Sequence, residues 1–146
     1  NKQTLFFALV DKFANLLERR VMEAIAEQDS GIERVRAALI TCLDTFSSYR
    51  RLAKIMLVQA VGLGTTFEDK RIEVADRFAV LIKVNLDELV TSGEIQPINT
   101  LIVAQIWTGS IYEMVIRWIY LGQPTPDEIL ETLIPLLLRS IGYHED

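Results

Sequence analysis

Apolar residues recur every three or four positions along almost the whole of this chain, and that spacing is what most restricts its fold. Such a repeat places apolar side chains on one face of an α-helix, whereas a half-buried strand needs a repeat of two, which is scarce here. Glycine, proline and capping residues interrupt the repeat and divide it into six helices. The predicted helices span approximately residues 2–28, 32–49, 52–61, 65–92, 100–121 and 126–141. The predicted fold class is all-α.

The length of 146 residues and the formal net charge of −5 predict a single domain with a sizeable core and an acidic surface. Such a surface cannot hold a phosphate backbone, so these residues alone are not expected to bind DNA or RNA. A single cysteine excludes an internal disulfide and fits a reducing compartment. Gln105, Glu113 and Arg117 interrupt the most apolar stretch, which favours a buried or interface helix over a membrane span. We expect a cytoplasmic protein without membrane contact.

Residues able to support catalysis or bind a metal are few. The only histidine, His144, follows the last predicted helix, where a disordered tail is favoured over a base or a ligand. Cys42 falls on the apolar face of the second helix, a position typical of a small core residue rather than a nucleophile. The sequence has no Gly-rich phosphate loop, Cys-x-x-Cys pair or His-Glu-x-x-His pattern. We predict no enzymatic activity, no catalytic residue, no cofactor and no metal site.

The last two helices are apolar around most of their circumference, so each needs partners on two sides. One side can be the core of the domain, and a second copy of the same helix pair can cover the other, giving a four-helix bundle across a two-fold axis. Pro135 predicts a kink or a locally opened ladder in the sixth helix. The predicted dimer interface contains Gln105, Gly109, Tyr112, Ile116, Leu130, Leu133, Leu137 and Ile141.

Helices two to five carry more aromatic and semi-polar side chains than a minimal core needs. If these helices surround a common space, the side chains would line a mostly apolar ligand pocket. Packed core is the alternative interpretation, and Gln105 and Glu113 fit either a pocket or an interface. The candidate ligand-binding residues are Phe46, Tyr49, Met56, Gln59, Phe78, Ile82, Trp107, Ile111 and Tyr112.

The first and last parts of the chain resemble a known family. Residues 1–10, NKQTLFFALV, are similar to the segment that follows the helix-turn-helix in TetR-type (tetracycline-repressor-like) transcriptional regulators. The sequences IWTG at 106–109, RWI at 117–119, PDE at 126–128 and LLLRSIG at 136–142 resemble the closing helix pair of that family. The order of the helices between these segments is also similar. The resemblance therefore extends over essentially the whole chain.

The resemblance implies a homodimeric, ligand-responsive regulator, most often a repressor, that binds a small and commonly hydrophobic effector. It further implies that residues 1–146 form one effector-binding and dimerisation domain, whose last two helices form the interface. Helix 1–28 would follow a DNA-binding domain absent from this chain, because Asn1 caps a helix directly. Operator DNA would then be contacted only through that domain. The alternative is a stand-alone helical interaction or scaffold domain that forms homodimers and binds no small molecule.

Overall fold

The computed structural model describes residues 1–144, and within them it contains six α-helices and no strand. The all-α prediction is therefore confirmed. A short 3-10 turn, Val61–Leu63, joins the third helix to the fourth. The helices are α1 (Lys2–Ala26), α2 (Gly31–Ser48), α3 (Arg50–Ala60), α4 (Thr65–Thr91), α5 (Thr100–Leu121) and α6 (Pro126–Ser140).

The best predicted boundaries are those with a capping group. The Asn1 side chain accepts a hydrogen bond from the Thr4 amide at 2.8 Å at the start of α1, and Asn99 caps α5 in the same way through the Ile102 amide. Gly122 ends α5 in the left-handed conformation, with φ of 78°. Because these side chains satisfy amides that a helix leaves unpaired, they determine where it begins.

Helices α3, α4 and α6 depart from the usual rules for helix ends and interiors. Helix α3 begins at Arg50 rather than at residue 52, directly after Tyr49, which offers no side-chain cap. Helix α4 begins at Thr65, as predicted, but no side chain caps it, because Gly64, with φ of 54°, makes the turn before it. Helix α6 continues through Pro135 as one element, although the missing proline N–H leaves the Glu131 carbonyl without its helical donor.

Two groups of buried apolar side chains hold the helices together. The larger group joins α2, α4, α5 and α6 around the fully buried Leu86 and Leu89. The smaller group connects α1 with α3 through residues such as Phe13 and Met56. Phe46 packs against both groups. A space lies between the two groups, and residues of helices α1 to α5 line it.

Helix α1 meets α4 through charged side chains. Lys70 Nζ lies 2.6 Å from Asp11 Oδ1, and Arg77 donates to Glu18 and, at 2.7 Å, to Asn15 Oδ1. These contacts hold together two helices that both line the space between the apolar groups. None of the helices described by the structure is long and apolar enough to cross a membrane.

Candidate functional site

A cavity of about 360 Å³ lies between helices α1 to α5. Its wall is almost entirely apolar, as in most sites for small molecules. Four of its lining residues are exposed, and all four belong to α4 or α5, so the cavity reaches solvent between these two helices. The exposed lining residues are Ile72, Asp76, Gln105 and Gly109.

The cavity contains seven of the nine candidate ligand-binding residues. They come from α2, α3, α4 and α5, as the prediction required, although whether they bind a ligand stays a prediction. The seven are Phe46, Met56, Phe78, Ile82, Trp107, Ile111 and Tyr112.

The other two candidates, Tyr49 and Gln59, do not line the cavity. Tyr49 lies at the junction of α2 and α3, is exposed, and packs edge-on against Phe13 with ring centroids 6.2 Å apart. Gln59 is exposed on the outer surface of α3, because the buried stripe of this helix is narrow and consists of Ala53, Met56 and Ala60. Both assignments are corrected here.

Helix α1 contributes part of the wall that the sequence reasoning did not include. Phe13, Leu17 and Val21 are buried and border the cavity. The apolar stripe of the first helix was the available signal, but it does not show which side of the core the helix covers. The cavity is thus in contact with the helix whose N-terminal end begins the chain.

A cation at the cavity wall is already paired. Arg71 donates from Nε and Nη2 to the Glu68 carboxylate, with Nη2 to Oε2 at 2.8 Å, and its guanidinium lies 5.0 Å from the centre of the Tyr112 ring. The hydrogen bond from Arg71 lowers the pKa of Glu68, and burial raises the pKa of Tyr112. At neutral pH this group consists of a matched ion pair and a neutral phenol.

Asn85 is the most deeply buried polar residue of the wall, and the sequence reasoning missed it. It is 9% exposed and lies on α4 beside Leu86, which is completely buried. Its Nδ2 donates to the Leu81 carbonyl at 2.8 Å. The available signal was an asparagine on the apolar face of a long amphipathic helix, where it is a poor helix former and expensive to bury.

Cys42 also borders the cavity, and burial raises the pKa of its thiol to about 12. Because the thiolate is the reactive form, we expect Cys42 of the folded protein at pH 8 to react with Ellman's reagent at least about a hundredfold more slowly than a free thiol of ordinary pKa. The reaction should become fast in guanidinium chloride, where burial is lost. Fast reaction without denaturant would contradict the enclosed position of this thiol.

The predicted dimer-interface residues occupy other positions than expected. Gln105, Gly109, Tyr112 and Ile116 of α5 line the cavity, although Gln105 and Gly109 are also exposed. Of the four predicted residues on α6 and its C-cap, three are buried in the core of their own chain and Leu130 is half-buried. The three buried residues are Leu133, Leu137 and Ile141.

The apolar side chains that α5 and α6 leave exposed include a group that we call the outer α5–α6 face. Its large members are Ile102, Ile106 and Tyr120 on α5 and Leu136 on α6. Both helices are apolar on most sides, so their periodicity did not show which stripe faces outward. Homodimerisation stays a prediction, now placed on these residues.

Within residues 1–144, no group of three or more His, Cys, Asp or Glu side chains is arranged to hold a metal ion. His144 is exposed and lies beyond α6. Cys42 has no histidine among its neighbours in the cavity wall.

The sequence matches no protein-family model, and no curated protein matches it significantly. Two solved structures are similar to it in fold. A TetR-family transcriptional regulator from Syntrophomonas wolfei has a TM-score of 0.84 and 13% identity, over 99% of this chain and 74% of that one. AibR, solved with isovaleryl coenzyme A and operator DNA, has a TM-score of 0.64 and 21% identity, over 93% of this chain and 74% of that one. The chain therefore has the fold found in TetR-family regulators.

Proposed function

We propose that this chain is the effector-binding and dimerisation domain of a ligand-responsive transcriptional regulator, and that it acts as part of a repressor. The observation that carries the proposal is the apolar cavity of about 360 Å³ that is lined by helices α1 to α5. A space of that volume inside an otherwise well-packed domain is large enough for a small organic molecule. The fold shared with two regulator structures supports the same assignment.

The effector is proposed to be small and mostly apolar, because almost every lining side chain is apolar. AibR was solved with an acyl thioester, isovaleryl coenzyme A, and with operator DNA. In the present chain, contact with DNA is proposed to occur through a separate DNA-binding domain, because the 146 residues carry a net charge of −5.

Effector binding can be transmitted through α1. Phe13 and Leu17 border the cavity, while Lys70 and Arg77 of α4 hold the same helix by charged contacts. A molecule between α1 and α4 that fits one separation of these helices better than another would shift α1 toward that separation. Only such a difference in affinity between two arrangements can regulate DNA binding.

Filling the cavity provides the first test. We expect Ala75→Phe, which extends a half-buried residue of the cavity wall, to weaken binding of the neutral fluorescent probe N-phenyl-1-naphthylamine by at least about tenfold, because the new ring occupies the space of the probe. Fluorescence titration measures the change. Val80→Phe is the matched control, since Val80 lies on the same helix, is exposed, and does not line the cavity.

The two variants separate the proposal from its alternative. Binding by the natural protein and by Val80→Phe, but not by Ala75→Phe, supports an effector site. If none of the three proteins binds the probe, or if all three bind it equally, the cavity is not its site. A homodimeric interaction domain without a small-molecule ligand would then replace the effector-binding proposal.

A further inference from the structure

Within the described chain, Asn85 makes one side-chain hydrogen bond, and its carbonyl oxygen has no donor. Its Nδ2 donates to the Leu81 carbonyl. An amide oxygen can only accept hydrogen bonds, so this contact determines which side-chain atom is the nitrogen and which is the oxygen. In the part of the chain that the structure describes, no donor contacts Oδ1. A buried carbonyl oxygen without a donor destabilises the folded protein.

The free oxygen of Asn85 is not fully enclosed. Every fully enclosed side-chain nitrogen or oxygen among the described residues has a partner, so Oδ1 must retain some accessible surface. Only 9% of the Asn85 surface is exposed, and the residue lines the cavity. The cavity is open space that borders Asn85, so it is where a ligand could reach this oxygen.

Helix stability does not account for an asparagine here. The next residue, Leu86, and the next turn, Leu89, are completely buried, so an apolar residue would suit this segment of α4. Asparagine is also a weaker helix former than leucine. A polar acceptor at this position is explained if a ligand supplies the missing donor.

The charges around the cavity exclude an anionic ligand. Among the residues that the structure describes, only Arg71 and Asp76 are charged and line the cavity. Arg71 is neutralised by Glu68, and Asp76 is exposed on the side that reaches solvent. A carboxylate inside the cavity would lose its hydration without gaining an unpaired cation.

Building on the effector-binding function proposed above, we propose that the ligand is an uncharged, largely apolar molecule with a hydroxyl or N–H group that donates to Asn85 Oδ1. A site of this kind rejects an analogue that lacks the donor, because the buried acceptor is then left unpaired. Acyl chains without such a group, and acids in their anionic form, are expected to bind less well.

The test compares 1-naphthol with 1-methoxynaphthalene, which has the same ring and oxygen but no donor. We expect the natural protein to bind 1-naphthol about tenfold more tightly, the effect of one buried hydrogen bond, and 1-naphthoate more weakly than 1-naphthol. Asn85→Leu keeps the size of the side chain and its apolar surroundings but removes the amide. This variant should bind 1-naphthol and 1-methoxynaphthalene with about equal affinity. Calorimetric titration gives the affinities, and circular dichroism checks that the variant is folded.

The comparison on the natural protein needs no variant and already decides the question. Equal affinity for the two naphthalenes, or a preference that persists in Asn85→Leu, would overturn the assignment of Asn85. The effector-binding function would still stand if N-phenyl-1-naphthylamine binds and Ala75→Phe blocks it. Failure of that probe to bind would instead overturn the cavity function itself.

Discussion

Replacing Trp107 with alanine should lower the free energy of unfolding by about 3–5 kcal/mol, the range found when a buried aromatic side chain is removed. Trp107 is 1% exposed and belongs to the larger apolar group. It also borders the cavity, so the space left by its indole would join an existing one. Urea denaturation followed by circular dichroism, at one fixed protein concentration, measures the change.

The indole also connects α5 to α6 by a hydrogen bond. A second variant separates the contribution of this bond to stability from the contribution of indole packing. Trp107 Nε1 donates to Ser140 Oγ at 3.2 Å. Ser140→Ala removes the acceptor and leaves the indole in place, so it should cost only about 1 kcal/mol. A loss in Trp107→Ala no larger than that in Ser140→Ala would contradict the central packing position of Trp107.

Helix existence and type could be predicted from the sequence because they depend on local signals. Helix α5 was predicted with its observed bounds, Thr100–Leu121, since Asn99 caps one end and Gly122 closes the other. At the junction of α2 and α3, Tyr49 provides no cap, and there the predicted start of α3 was two residues late. Boundaries were accurate where a side chain or a left-handed glycine determines them.

The faces of the last two helices could not be predicted in the same way. Leu133, Leu137 and Ile141 do form one stripe, but it packs into the core of its own chain. On a helix with apolar residues on most sides, periodicity indicates which residues share a face and not which neighbour that face meets. Tertiary packing makes that choice, and it leaves Leu136 outside.

The candidate site was partly predictable for a related reason. Aromatic residues such as Phe46 and Trp107 were correctly expected near a common space, because large side chains on inward faces converge. Asn85 was not expected there, since one asparagine in an amphipathic helix rich in charged residues gives no periodic signal of its own. Its importance depends on the cavity beside it and on the bond that its amide already makes.

Substituting Ile106 with glutamate should convert a dimer into a monomer. Ile106 is 61% exposed and belongs to the outer α5–α6 face. In a two-fold symmetric dimer each substitution occurs twice in one interface, so it would remove two apolar contacts and introduce two like charges. We expect the dissociation constant to rise by at least about a hundredfold. Light scattering coupled to size exclusion should then give the mass of one chain, 16.6 kDa.

Ile55→Glu is the matched control for this substitution. Ile55 is 54% exposed, but it lies on α3, outside the outer α5–α6 face. The control variant should remain dimeric if α5 and α6 form the interface. A natural protein that is monomeric at micromolar concentration would contradict dimerisation. Dissociation by Ile55→Glu but not by Ile106→Glu would place the interface on α3.

The position of Ile106 makes a second readout informative. Its neighbours on either side along α5, Gln105 and Trp107, both line the cavity, so one helix serves the proposed interface on one face and the proposed effector site on another. If Ile106→Glu dissociates the dimer but keeps probe binding, each chain holds a complete cavity. If binding is lost as well, while circular dichroism shows a folded chain, the partner helix supports the α5 wall, and dimerisation and effector binding are energetically coupled.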